Sequence, residues 1–126
     1  MPDKDAPFRA DAYYRRLAEY IIDFENDLKE DEEVGAKLVN FGESIIISVE
    51  DIGYYNPRLI CFIGKNNDGN RVQLVQHVNQ INFLLIALKR TNKERPRVGF
   101  KLKHELEKER QEHSLFFQLK KLSWLR

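Results

Sequence analysis

Residues 44–90 read SIIISVEDIGYYNPRLICFIGKNNDGNRVQLVQHVNQINFLLIALKR, and they hold most of the β-branched and aliphatic residues of the chain. Ser44–Asp51 alternates with a period of two, placing Ile45, Ile47 and Val49 on one side and Ile46, Ser48 and Glu50 on the other, as a strand does. Leu59–Ile63 is apolar on both faces, the pattern of a central strand. Gly53 with Asn56-Pro57 marks an irregular connection between the two. Asp68-Gly69, flanked by Lys65–Asn67 and Asn70, tolerates the positive φ of a tight hairpin, so 59–64 and 71–78 are expected to pair antiparallel. Along 71–78, Val72, Leu74, Gln76 and Val78 face one way and Arg71, Gln73, Val75 and His77 the other. Residues 79–90 fit two patterns. Ile81, Leu84, Leu85 and Leu88 suit a helix capped by Asn79, whereas Phe83–Leu88 suits a buried strand. Periodicity does not separate these for a short apolar run, and helix is the preferred reading.

Upstream, Tyr14, Leu17, Ile21, Phe24 and Leu28 recur at steps of three and four, which predicts an amphipathic helix from about Arg9, capped by Asp11. Residues 1–8, with two prolines, form a loose arm in this reading. The acidic run Glu30–Glu33 opposes the helix dipole and helps to stop the helix. A first strand is expected over Val34–Val39, with Asn40–Gly42 as its turn. Downstream, Thr91–Pro96 is a polar loop and Arg97–Leu102 a short strand with Gly99 at a close approach. Residues 103–122 read as helical, nearly all charge over Glu105–His113 and apolar again only in the last turns. The expected fold is α+β: an N-terminal helix packed on an antiparallel sheet of four to five strands, followed by a C-terminal helix. The organisation expected is one domain over 1–103 and a charged helix over 104–126 with an apolar, basic end.

At 126 residues the chain suffices for one domain with a modest core. Its formal charge of +1 gives no global pull towards nucleic acid or membrane. The charge is nevertheless polarised: −6 over residues 1–33, zero over 34–88 and +7 over 89–126. The two charged ends either pair in the fold or in a dimer, or the basic tail meets an acidic partner. Cys61, the single cysteine, lies in an apolar run. It excludes an intramolecular disulfide framework and reads as a buried, inert thiol. Without an apolar leader or a run long enough to span a bilayer, a cytoplasmic location is expected.

Ile52-Gly53-Tyr54-Tyr55-Asn56-Pro57, Phe62-Ile63-Gly64, Gln73–Gln80 and Pro96–Phe100 together resemble a family of bacterial proteins catalogued as domain of unknown function 6173. The likeness covers about residues 12–103, and Gln76-His77-Val78-Asn79-Gln80 is its most distinctive piece. The resemblance implies no activity. It implies that the polar block is a family trait.

Candidate site residues fall in two groups. Tyr54, Tyr55, Gln73, Gln76, His77, Asn79 and Gln80 could read a polar ligand or nucleotide, or could be a satisfied network tethering a strand end, since buried amides need partners. Leu115, Phe116, Leu119, Lys120, Leu122 and Trp124 form a basic amphipathic end suited to a protein partner or to self-packing, and less to a membrane surface. His77, His104 and His113 are scattered and give no metal-ligand spacing. No nucleophile accompanies His77, so no catalytic residue, cofactor or metal is expected. Nucleic acid is a minor alternative at Tyr54 and Tyr55. The leading expectation is a non-enzymatic, oligomeric binding or assembly module acting through protein contacts; a small-ligand or nucleotide-binding domain is the alternative.

Overall fold

The protein was analysed as a computed structural model, which describes residues 8–40 and 43–109. Helix α1, Ala10–Asn26, buries the stripe that its spacing predicts, with Tyr14, Leu17, Ala18 and Ile21 inside. Asp11 does not cap it. The Asp11 carboxylate instead pairs with Arg9 at 3.4 Å and Arg15 at 3.6 Å. The helix's unsatisfied amides are met from outside: Ala10 N–H donates to the Pro57 carbonyl at 2.8 Å and Asp11 N–H to Asn56 Oδ1 at 3.1 Å. A turn distant in sequence thus replaces the local cap. The acidic run lies beyond the helix end, and Glu32 Oε1 accepts from Lys29 N–H at 2.9 Å.

Five strands follow: β1 Glu32–Asn40, β2 Glu43–Tyr55, β3 Leu59–Lys65, β4 Arg71–His77 and β5 Phe83–Lys89. They form one sheet in the order β4-β3-β2-β1-β5, with every neighbouring pair antiparallel. The hairpin between β3 and β4 forms as expected, with Gly69 at φ +79°. Asn66 Oδ1 accepts from the Asp68 and Asn70 amides at 3.1 and 3.0 Å. Gly53 does not end its strand; β2 runs through it to Tyr55. Residues 79–90 are not a helix: a short 3-10 turn at Val78–Gln80 leads into β5. The physical reason is non-local. β1 bonds β2 along one edge and needs a partner for the other, which β5 supplies.

Register requires the sheet to coil. His77 lies level with Leu59 and Tyr55, while Phe83 lies level with Leu38 and Ile45. On a flat sheet those two points would stand roughly 38 Å apart, yet a six-residue link reaches at most about 21 Å. The shift of register between Val49 and Asp51 is a bulge in β2, and bulges increase local bend and twist. It also changes which residues face inward: Ile47 and Val49 before it, Ile52 after it, are all buried. Inward-facing Val34, Ala36, Val49, Ile52, Ile60 and Phe62 join Tyr14, Leu17 and Ile21 of α1 in one core.

The expected strand at Arg97–Leu102 is instead the start of a second helix, α2, described over residues 98–109. Val98 and Leu102 are buried four residues apart, and Leu106 extends the same stripe onto the core. A helix start needs acceptors for its amides. Here Glu25 of α1, only 8% exposed, provides one through Gly99 N–H to Oε1 at 3.1 Å. The close approach expected at Gly99 is therefore real, although its setting differs: a Cβ there would fall on the Glu25 carboxylate.

Candidate functional site

The coiled sheet separates the polar residues that sequence places together. On the inner face the register aligns Tyr54, Ile60 and Gln76 in one row. Tyr54 packs against Tyr14 with ring centroids 5.0 Å apart and planes tilted by 46°, and donates its hydroxyl to Glu109 Oε1 at 3.1 Å. Burial, then the hydrogen bond to Glu109, raises the Tyr54 hydroxyl above its ordinary pKa. Burial raises Tyr14 as well, with the Glu109 charge adding to it. Gln76 is buried at 6% exposure, and its Oε1 has no hydrogen-bond partner among the described residues. Tyr55 is exposed in the next row, level with Leu59 and His77 on the outer face. There Gln73 Nε2 donates to Cys61 Sγ at 2.8 Å, and Cys61 is buried as expected.

His77, Asn79 and Gln80 are engaged with their own backbone. His77 Nδ1 accepts from Asn79 N–H at 3.1 Å, and Gln80 Oε1 accepts from His77 N–H at 3.4 Å. Together they cap the 3-10 turn that leaves β4. The second group of candidates, Leu115, Phe116, Leu119, Lys120, Leu122 and Trp124, lies outside the described residues.

Sequence reading missed a cleft of about 830 Å³ between the start of β1, the middle of β2, the turn after β3, the end of β5, the 90–97 loop and α2. Six cationic side chains line it: Lys65, Lys89, Arg90, Arg95, Arg97 and Lys101. Glu33, Glu50 and Glu105 oppose them. Most of these charges are already engaged. Arg95 pairs with Glu50 at 2.7 Å and Lys101 with Asp51 at 3.0 Å. Arg90 donates to the carbonyls of Lys93 at 3.1 Å and Arg95 at 2.6 Å, and Arg97 to that of Lys29 at 2.6 Å. Lys65 and Lys89 are without an ion pair among the described residues. Phe100, 56% exposed, meets His104 edge-on at 4.7 Å on the α2 wall. The one signal of this cleft in the sequence was the charge of +7 over residues 89–126.

The outer sheet face is apolar and uncovered in part. Leu59 is 40% exposed, Val75 50%, Leu84 59% and Tyr55 65%. Ile86 and Leu88 fold over Gly35, where a Cβ would stand 2.4 Å from Leu88 Cδ1 and 3.1 Å from Ile86 Cγ1. Both helices contribute instead to the core on the inner face. Among the described residues no group of three or more His, Cys, Asp or Glu side chains could hold a metal ion. No described helix is long and apolar enough to cross a membrane.

An α+β domain, with a coiled antiparallel sheet that both described helices line on one face, is thus the class that the fold defines. The chain belongs to the family of unknown function DUF6173, which it matches over residues 4–102. That match takes in β1–β5 and the first turn of α2, and so agrees with the resemblance seen in the polar block. No curated protein and no solved structure matches the chain.

Proposed function

We propose that this chain is a non-enzymatic binding and assembly module that acts through protein contacts, its partner being a second copy of itself. The observation that carries this reading is the outer face, where Tyr55, Leu59, Val75 and Leu84 remain exposed while both described helices pack on the other face. Apolar side chains left exposed on a sheet face are what association covers. Charge supports a like partner. At a net +1 two copies do not repel strongly, and the acidic residues 1–33 of one can meet the basic residues 89–126 of the other. The apolar, basic residues 114–126 are a second contact element in this reading. Sedimentation of the full chain tests it. Wild type is expected to sediment as an oligomer whose proportion rises with concentration. A wild-type chain that stays monomeric up to its solubility limit overturns the proposal.

A second reading, binding of a small anionic ligand or nucleotide, is supported by the cleft. Its volume of about 830 Å³ is of ligand-site size, and Lys65 and Lys89 bring charge that has no ion pair among the described residues. In this version the site moves from the Tyr54, Tyr55 and Gln73–Gln80 region to the opposite end of β3. Thermal stabilisation by a nucleotide panel, lost in Lys65→Glu, is the expected result. No shift with any nucleotide removes this reading.

A further inference from the structure

We infer that two copies join through the outer edges of their β5 strands, antiparallel about a twofold axis, to make one continuous sheet. The inference rests on the assembly reading and names the element that makes the contact. The sheet has two edges, β4 and β5, and they differ in chemistry. β4 reads RVQLVQH, with Arg71, Gln73 and His77 flanking the single apolar Val75 on its outer face. Polar and charged side chains of this kind blunt an edge against pairing. β5 reads FLLIALK, six apolar residues in succession with no proline, glycine or charge before Lys89. It pairs with β1 on one side only, and nothing among the described residues pairs with its other side. A strand with a free row of amides and carbonyls and no guard residue is a template for another strand.

The partner that fits is the same strand. An antiparallel pair related by a twofold axis is self-complementary, because each contact made by one copy is repeated by the other. A register centred on Ile86 sets Ile86 opposite its own copy and Leu84 opposite Leu88. Residues 84, 86 and 88 share one face of the strand, so aliphatic side chains from both copies would lie side by side. Cross-strand pairs of apolar side chains are what stabilise such a sheet. Ile86 and Leu88 already lie low over Gly35, and the 59% exposed Leu84 would gain cover. Joining the edges would also bring the two open outer faces side by side.

Amide hydrogen exchange on the full chain, with sedimentation on the same samples, tests the inference. In the associated state every other β5 amide points outward and is expected to be protected as well as those of the central strand β3. Leu84→Lys, at an exposed position, is expected to weaken association by at least about tenfold and to release that protection, with the fold intact. A dimer whose outward β5 amides exchange as fast as those of β4, or which Leu84→Lys leaves intact, overturns edge pairing while the assembly reading stands. A chain monomeric at every concentration overturns both.

Discussion

The two faces of the sheet are made by alternate residues of the same strands, yet they meet different fates. Inward, Ile60 and Phe62 are at most 1% exposed beneath α1 and α2; outward, their neighbour Leu59 is 40% exposed. Strand sequence thus supplies apolar side chains on both faces, while the connections supply helices for only one. The comparison teaches that β-propensity and burial are separable here. The inner face carries the core, and the outer face keeps apolar side chains exposed.

The contrast breaks most severely at Phe62. Phe62→Asp, or Leu17→Asp on the facing helix, places a charge in the core, and no cooperative melt is expected from either; a transition at the wild-type midpoint would refute the packing. Phe62→Ala should cost about 3–5 kcal/mol in urea titrations.

Glycines sharpen the same comparison. At Gly64 a Cβ would lie 2.0 Å from the Ser48 carbonyl oxygen, a backbone atom fixed within the sheet. Gly64→Ala should therefore cost about 3 kcal/mol, at the upper end for overpacking. At Gly35 the obstacle is the end of the Leu88 side chain, which can rotate away, and Gly35→Ala should cost about 1 kcal/mol. Equal losses at the two sites would mean that the outer aliphatic layer is as rigid as the backbone.

Between the helices, Glu25→Ala leaves Gly99 N–H without its acceptor and should cost about 1–3 kcal/mol. Circular dichroism should show the helical signal falling at lower denaturant than in wild type.

The smallest effect concerns alkali. Tyr14 and Tyr54 hold their protons more tightly folded than unfolded. Their contribution is thus fully present below the unfolded tyrosine pKa of about 10 and is lost as pH rises through the folded values. Melting temperature should decline above that pH, and less steeply in Tyr14→Phe.

Legibility followed sequence distance. The 65–70 hairpin and the α1 stripe were readable because their residues interact over a few positions. β5 was not, because its strand character comes from pairing Phe83 to Leu38 and Lys89 to Glu32, partners that no local window contains. The helix expected from 103 was legible, but the start of α2 was misread for a related reason: it is completed by Glu25, 74 positions upstream of Gly99. The polar block was legible as a group but not as a site. Alternation sent Gln73 and Gln76 to opposite faces, while His77, Asn79 and Gln80 turned back on the chain. The cleft escaped because its cations come from β3, β5, the 90–97 loop and α2, and only the fold gathers them.

The β1–β5 pair also sets a timetable for a nascent chain. Leu38 is made 45 positions before the Phe83 that will lie beside it. At about 5–20 residues per second, synthesis leaves the second edge of β1 waiting for several seconds. During that interval β1 to β4 can form as a meander with an open flank. Slowing translation between positions 40 and 83 would lengthen the wait, and speeding it would shorten the period in which a neighbouring nascent chain could take the place meant for β5.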